Sequence, residues 1–225
     1  KANYIKQFRN EINKNNIAFF SYDKRTATKR NFPFLKNMKF NGFVTDLKTV
    51  INHFKNDHRF SEIILIGHSQ GSLVAMLASK NIDKYISLAG AGEPIDKIIV
   101  KQITAQNANL GEYAAKHFKE LKETGSIKTV NPFLISIFSK PNLAFLKSWT
   151  AINPSVEIKK ITIPILIING TKDLQVKIED AKALHTANPK SEMVLIKNMN
   201  HVLKNIEKEA DNMSSYYSAD FALSK

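Results

Sequence analysis

Five residues, Gly67-His68-Ser69-Gln70-Gly71, place a hydroxyl between two glycines where a branched apolar run gives way to a helix-like pattern. A Gly-x-Ser-x-Gly turn between a strand and a helix points the serine oxygen outward at the carboxyl edge of a sheet. There it lies beside free helix N–H groups that favour developing negative charge. The chemistry this suggests is nucleophilic attack on a carbonyl. So tight a turn strains the serine backbone, at about 1–3 kcal/mol. Both glycines are expected to keep side chains from colliding where strand and helix nearly touch.

A hydroxyl is a weak nucleophile and needs a general base, which in turn needs an orienting acid. Such a turn predicts the chain order serine, acid, histidine. Of six histidines, His53 and His58 precede the serine, and His68 is expected to point away from it. His117 and His185 fall within helical patterns. His201 lies in the loop KNMNHVLK, directly after the apolar run MVLIK, and is the candidate base. The candidate acid is Asp173, just beyond PILIING; Glu93, after YISLAGAG, is its rival. Glu179 and Asp180 sit further on in a helical pattern and are expected to be solvated.

The elements that must position these groups can be read from hydrophobic period. Helical spacing covers 3–14, 40–58, 72–80 and 176–187. Strand-like runs occur at IAFFSYD (17–23), IILIG (63–67), YISLAG (85–90), PILIING (164–170) and MVLIK (193–197). Alternating helices and fully apolar strands predict an α/β fold: a mostly parallel sheet with helices on both faces. Residues 93–150 hold only helical patterns and loops. The expected organisation is a core over 1–92, a helical cap insertion over 93–150 and a second core part over 151–225. Within the insertion, Phe133, Phe138, Leu143 and Trp149 are candidates for an apolar substrate wall.

Composition narrows the alternatives. The 225 residues suit one domain, and no apolar run approaches the roughly 18 residues of a membrane span. Absence of cysteine excludes disulfides and thiolate chemistry, and is compatible with cytoplasm or periplasm. The net charge of +13 would suit an anionic partner, yet only Arg9, Arg25, Arg30 and Arg59 are arginine among 33 basic residues. Scattered lysines without arginine forks and interleaved aromatics read as a solvated surface, not a nucleic-acid groove. No H-E-x-x-H or Walker loop occurs, and Gly90-x-Gly92 lacks a third glycine, so no metal or cofactor is expected. The expected partner is a small-molecule ester; the oligomeric state is open.

The stretches FFSYDKR (19–25), IILIGHSQGSLVAMLA (63–78), YISLAGAGEPID (85–96), IPILIINGTKDLQV (163–176) and MNHVLK (199–204) resemble the alpha/beta-hydrolases. Among these they resemble the carboxylesterase and serine-aminopeptidase-like branch with a helical cap. The resemblance implies Ser69 as nucleophile, Asp173 as acid, His201 as base and the Gln70 amide as one oxyanion donor. It implies hydrolysis of short to medium acyl esters, with aminopeptidase or thioesterase action, or a non-catalytic ligand-binding relative, as alternatives. Two departures stand out. The family's DKRGxGxS segment reads Asp23-Lys24-Arg25-Thr26-Ala27-Thr28-Lys29 here, without glycines. The family strand and loop that donate the second oxyanion N–H lie upstream of residue 1. The N-terminal strands are therefore expected to be missing, and the chain to be a fragment or to lack its ends.

Overall fold

The computed structural model describes residues 3–224. After helix α1 (Tyr4–Lys14) and a 3-10 turn at Lys29–Phe34 come α2 (Asn41–Lys55), β1 (Ile64–His68), α3 (Gln70–Ala78) and β2 (Lys84–Leu88). Five helices then intervene: α4 (Ile95–Gln106), α5 (Ala108–Thr124), α6 (Ile135–Phe138), α7 (Leu143–Thr150) and α8 (Pro154–Ile158). The alternation resumes with β3 (Ile165–Gly170), α9 (Ile178–Ala187) and β4 (Glu192–Ile196), and a short α10 (Asp211–Ser214) follows.

The four strands form one parallel sheet in the order β1-β2-β3-β4. Register pairs Ile66 with Ile86, Ile86 with Leu166 and Leu166 with Glu192, so the strand ends align at one carboxyl edge. Side chains alternate across the strands. Leu65, Tyr85, Ile165 and Ile167 therefore share one face, where they join α2, α3, α9 and Ile158 in the main core. Ile66, Leu88, Ile168 and Ile196 share the other face, covered by Tyr4 and Phe8 of α1 and by Met199, Leu203 and Leu223. Full burial of each such side chain contributes roughly 1.5–3 kcal/mol. Helix α3 is apolar nearly all round because it is enclosed nearly all round: Leu73, Val74, Ala75, Met76 and Ala78 are buried. Helices α4 to α7 carry a separate apolar cluster centred on Phe118, Leu121, Leu134 and Phe138.

The α/β architecture read from the sequence is the observed one, with three differences of detail. Residues 17–23 form no strand. A strand exists only through a neighbour that takes its backbone hydrogen bonds, and β1 is the sheet edge among the described residues. The segment instead packs through rings, Phe19 against Phe8 at 6.0 Å and Phe20 against Phe54 at 4.8 Å. Asp180 is buried, not solvated: its carboxylate accepts the Gly92 N–H at 2.9 Å and the Lys177 N–H at 3.1 Å, capping α9. Helix α3 starts at Gln70, two residues before the apolar pattern, because Ser69 is its N-cap.

Candidate active site

Ser69 follows the last residue of β1 and sits at φ 54°, ψ −123°, a left-handed φ that side chains avoid. Its N–H donates to Leu88 O at 2.9 Å, so the serine backbone is tied to the neighbouring strand end. The glycine two residues earlier is obligatory, since a Cβ on Gly67 would lie 2.4 Å from Gly71 O and 2.6 Å from Ser72 Cα. Gly71 differs from expectation. A Cβ there would meet nothing within 4 Å, so only one of the two glycines is sterically demanded.

The first turn of α3 is anchored from below. Ser72 Oγ lies 2.7 Å from both Tyr85 Oη and Ser87 Oγ, and Tyr85 Oη donates to Ser72 O at 3.0 Å. Burial pushes the Tyr85 phenol up to about 12, so it stays a protonated donor at any physiological pH. Gln70 is the first helical residue, so its N–H has no intrahelical acceptor and remains available to an anion. The glycine-free loop before α2 reaches this turn: Lys24 Nζ donates to Gln70 Oε1 at 2.6 Å and lies 5.3 Å from the Phe43 ring centroid. Burial lowers the Lys24 pKa. Arg25 is held by both carboxylate oxygens of Asp46.

Asp173 and His201, 28 residues apart, meet beyond the ends of β3 and β4. His201 Nδ1 lies 2.8 Å from Asp173 Oδ2, with side-chain exposures of only 6% and 0%. The other carboxylate oxygen, Oδ1, accepts the N–H groups of Gln175 at 2.8 Å and Val176 at 2.9 Å. Three donors thus fix the orientation of the carboxylate. An acceptor facing Nδ1 selects the tautomer of the neutral imidazole that carries its proton on Nδ1, the one with a free lone pair on Nε2.

The structure brings Asp173 and His201 into contact, and places Ser69 and Gln70 at the same carboxyl rim. No hydrogen bond joins Ser69 to His201 among the described residues; the link between them runs through His68. Its ring centroid is 4.9 Å from that of His201, and its Nε2 is 2.7 Å from the His201 carbonyl oxygen. From sequence alone His68 is expected only to point away from Ser69. The alternation Ile66–His68 was the available signal, since it puts His68 on the face opposite Gly67.

A cavity of about 220 Å³ opens beside Ser69, walled by Gln70, Ile95, Ile98, Trp149 and Val176. Of the four apolar positions expected to face substrate, only Trp149 lines it. Phe133 is 81% exposed, while Phe138 is wholly enclosed among α5 to α7 with Leu143 packed against it. Helices α5 to α7 bury their apolar stripes against one another, which keeps Phe138 and Leu143 away from Ser69, while Phe133 faces solvent. The rival acid Glu93 also lines the cavity, but its carboxylate pairs with Lys97 and Lys101 and makes no hydrogen bond to a histidine. Two of the other histidines are engaged elsewhere: His117 Nε2 accepts the Asn131 N–H at 3.0 Å, and His185 Nδ1 meets Ser191 Oγ at 2.9 Å. No group of acidic and histidine side chains suited to a metal ion occurs among the described residues, nor a helix long and apolar enough to cross a membrane.

Comparison with known proteins bears on family and fold. Residues 1–130 match the family model described as serine aminopeptidase, S33. No curated protein matches the chain. Among solved structures, Est1E from Butyrivibrio proteoclasticus is similar at 18% identity and a TM-score of 0.51, over 80% of this chain and 68% of that one. A lipase-esterase related protein from Clostridium acetobutylicum is similar at 20% identity and a TM-score of 0.47, over 81% and 73%. At these identities the likeness is one of fold. The family-model match, which takes in the Ser69 turn and more than half of the chain, makes it a member of the serine aminopeptidase S33 family of alpha/beta-hydrolases.

Proposed function

We propose that the chain is a serine hydrolase that cleaves carboxylic esters of short to medium acyl chains through an acyl-enzyme on Ser69. The observation that carries this reading is the buried Asp173–His201 pair, hydrogen-bonded through Nδ1 at the rim that holds the strained Ser69 turn.

In this reading Ser69 Oγ attacks the ester carbonyl carbon while its proton passes to His201 Nε2. The Asp173 carboxylate steadies the imidazolium. The oxyanion takes a hydrogen bond from the Gln70 N–H; one such donor is worth about 2.7–4 kcal/mol of transition-state stabilisation. The carbon–oxygen bond to the alcohol then breaks as His201 returns the proton to the leaving oxygen. Water, deprotonated by the same imidazole, attacks the acyl-enzyme and releases the carboxylic acid and free Ser69. The segment over 93–150 acts as the cap, contributing Ile95, Ile98 and Trp149 to the acyl wall.

Cavity size and lining favour small apolar acyl groups: 220 Å³ is below the roughly 300–1,000 Å³ of sites that engulf drug-sized ligands. An aminopeptidase would need a free acidic anchor for the substrate amine. Glu93 is in position, but Lys97 and Lys101 already neutralise it, which favours the ester. The test compares hydrolysis of p-nitrophenyl butyrate with that of aminoacyl p-nitroanilides, before and after Ser69→Ala. Ester turnover that falls by about 10⁴-fold or more supports the proposal. Unchanged turnover in the variant, or a preference for the anilides, would refute it.

A further inference from the structure

His68 has a burial and a bonding pattern that the hydrolytic steps do not use. As the last residue of β1 it shares the sheet face of Ile66, beneath α1, where the Tyr4 ring leans on it at 5.4 Å. On its far side the His201 ring lies 4.9 Å away, at an interplanar angle of 48°. Its Nε2 is 2.7 Å from the His201 carbonyl oxygen. A carbonyl only accepts, so Nε2 carries the proton and donates. The bond therefore joins the strand that leads into Ser69 directly to the peptide unit of His201.

The rest of the His201 loop is held from elsewhere. Asn200 Oδ1 accepts the N–H of Val202 at 3.2 Å and of Lys204 at 3.0 Å. Its Nδ2 donates to Asn212 Oδ1 at 3.1 Å and Ser215 Oγ at 2.7 Å. The buried Lys204 ammonium donates to Phe221 O at 2.5 Å and to Gln7 Oε1. These bonds fasten the loop to the C-terminal segment and to α1. None fastens it to β1. Among the described residues, the His68 bond is the one side-chain hydrogen bond that does.

We propose that His68 is a positioning residue: its Nε2–H sets the separation between the Ser69 turn and the His201 imidazole. This rests on Ser69 and His201 acting as nucleophile and base. The groups that face His68 are His201, Asp173 and Lys24, with the Tyr4 ring over it. Burial first, and the neighbouring His201 second, hold its pKa down to about 4. It therefore stays a neutral donor at the pH of hydrolysis, and puts no second positive charge against the imidazolium that forms on His201.

The experiment uses the full chain and three side chains at this position. His68→Phe keeps a ring and removes the donor, while His68→Gln restores an N–H at similar reach. The Phe variant should lose between about tenfold and 10²-fold in kcat, the scale of a misplaced catalytic group, with KM within about twofold of the parent. The Gln variant should recover most of that loss. A donor role requires both the split and the rescue; a packing role would leave Gln no better than Phe. Should the Phe variant not fold, His68→Asn, whose amide is too short to reach the carbonyl, takes its place against Gln. Reaction with a fluorophosphonate separates the two levels of inference. If the parent chain takes no adduct at Ser69, the hydrolase reading fails and the His68 role falls with it. If the parent is labelled and turns over, but the Phe and Asn variants keep its kcat, only the positioning role is overturned.

Discussion

Replacing Asp173 by Asn tests the site through one atom. The two backbone N–H groups of Gln175 and Val176, at 2.8 and 2.9 Å, hold Oδ1. In Asp173→Asn they would keep the amide oxygen there, so the amide nitrogen would face His201 Nδ1 at the 2.8 Å now spanned to Oδ2. An amide nitrogen only donates, so Nδ1 would have to give up its proton and become the acceptor. The proton moves to Nε2, and the lone pair that should receive the Ser69 proton is lost. The imidazolium formed during attack also loses its counter-charge. Together these effects lower kcat by about 10⁴-fold, or about 5 kcal/mol. The fold should survive, because the substitution keeps shape and both backbone contacts. Losing one charge-assisted hydrogen bond costs about 1.5–3 kcal/mol, and each kcal/mol moves the melt of a chain this size by about 2–4 °C. Steady-state hydrolysis of p-nitrophenyl butyrate, alongside a thermal melt by circular dichroism, reads both quantities. A variant that folds and keeps kcat within tenfold of the parent would overturn the tautomer assignment, and with it the role of Asp173.

Two further outcomes follow from the geometry. Gly67→Ala should fail to fold or lose several kcal/mol, because its Cβ would lie 2.4 Å from a backbone oxygen, whereas Gly71→Ala meets open space and should gain up to about 1 kcal/mol of helix propensity; denaturant midpoints of the pair check this, and equal effects would contradict the packing described. His68 also predicts an acid-sensitive fold. Its folded pKa of about 4 lies below the 6.5 of the free side chain, so between these values the unfolded chain binds more protons and stability falls as pH falls. The loss is on the order of 3 kcal/mol. It is absent above about pH 6.5 and complete near pH 4. Urea midpoints from pH 7 to 4 should show this slope in the parent and a flatter one in His68→Phe.

Much of the molecule was legible because the signals are local. Apolar runs at 63–67, 85–90, 164–170 and 193–197 became the four strands to within two residues, since the strands of a parallel sheet covered by helices read as continuous apolar stretches. Gly67 and Ser69 announced a tight strand-to-helix turn for the same reason: only certain residues tolerate that backbone. Residues 17–23 had an equally strand-like pattern and formed no strand, because a ladder also needs a neighbour, and which segments become neighbours is not written in local periodicity.

What tertiary structure alone decided is a set of distances between residues far apart in the chain. Strand order brings Asp173 to His201 across 28 residues, and His68 to the His201 carbonyl across 133. Packing of α4 to α7 on themselves draws Phe138 and Leu143 into their own core and leaves Trp149 at the cavity. Residue type and spacing determine which groups can react and which elements carry them. Closure of the sheet and its loops determines which of those groups meet, because burial and hydrogen bonding are satisfied over the whole chain at once.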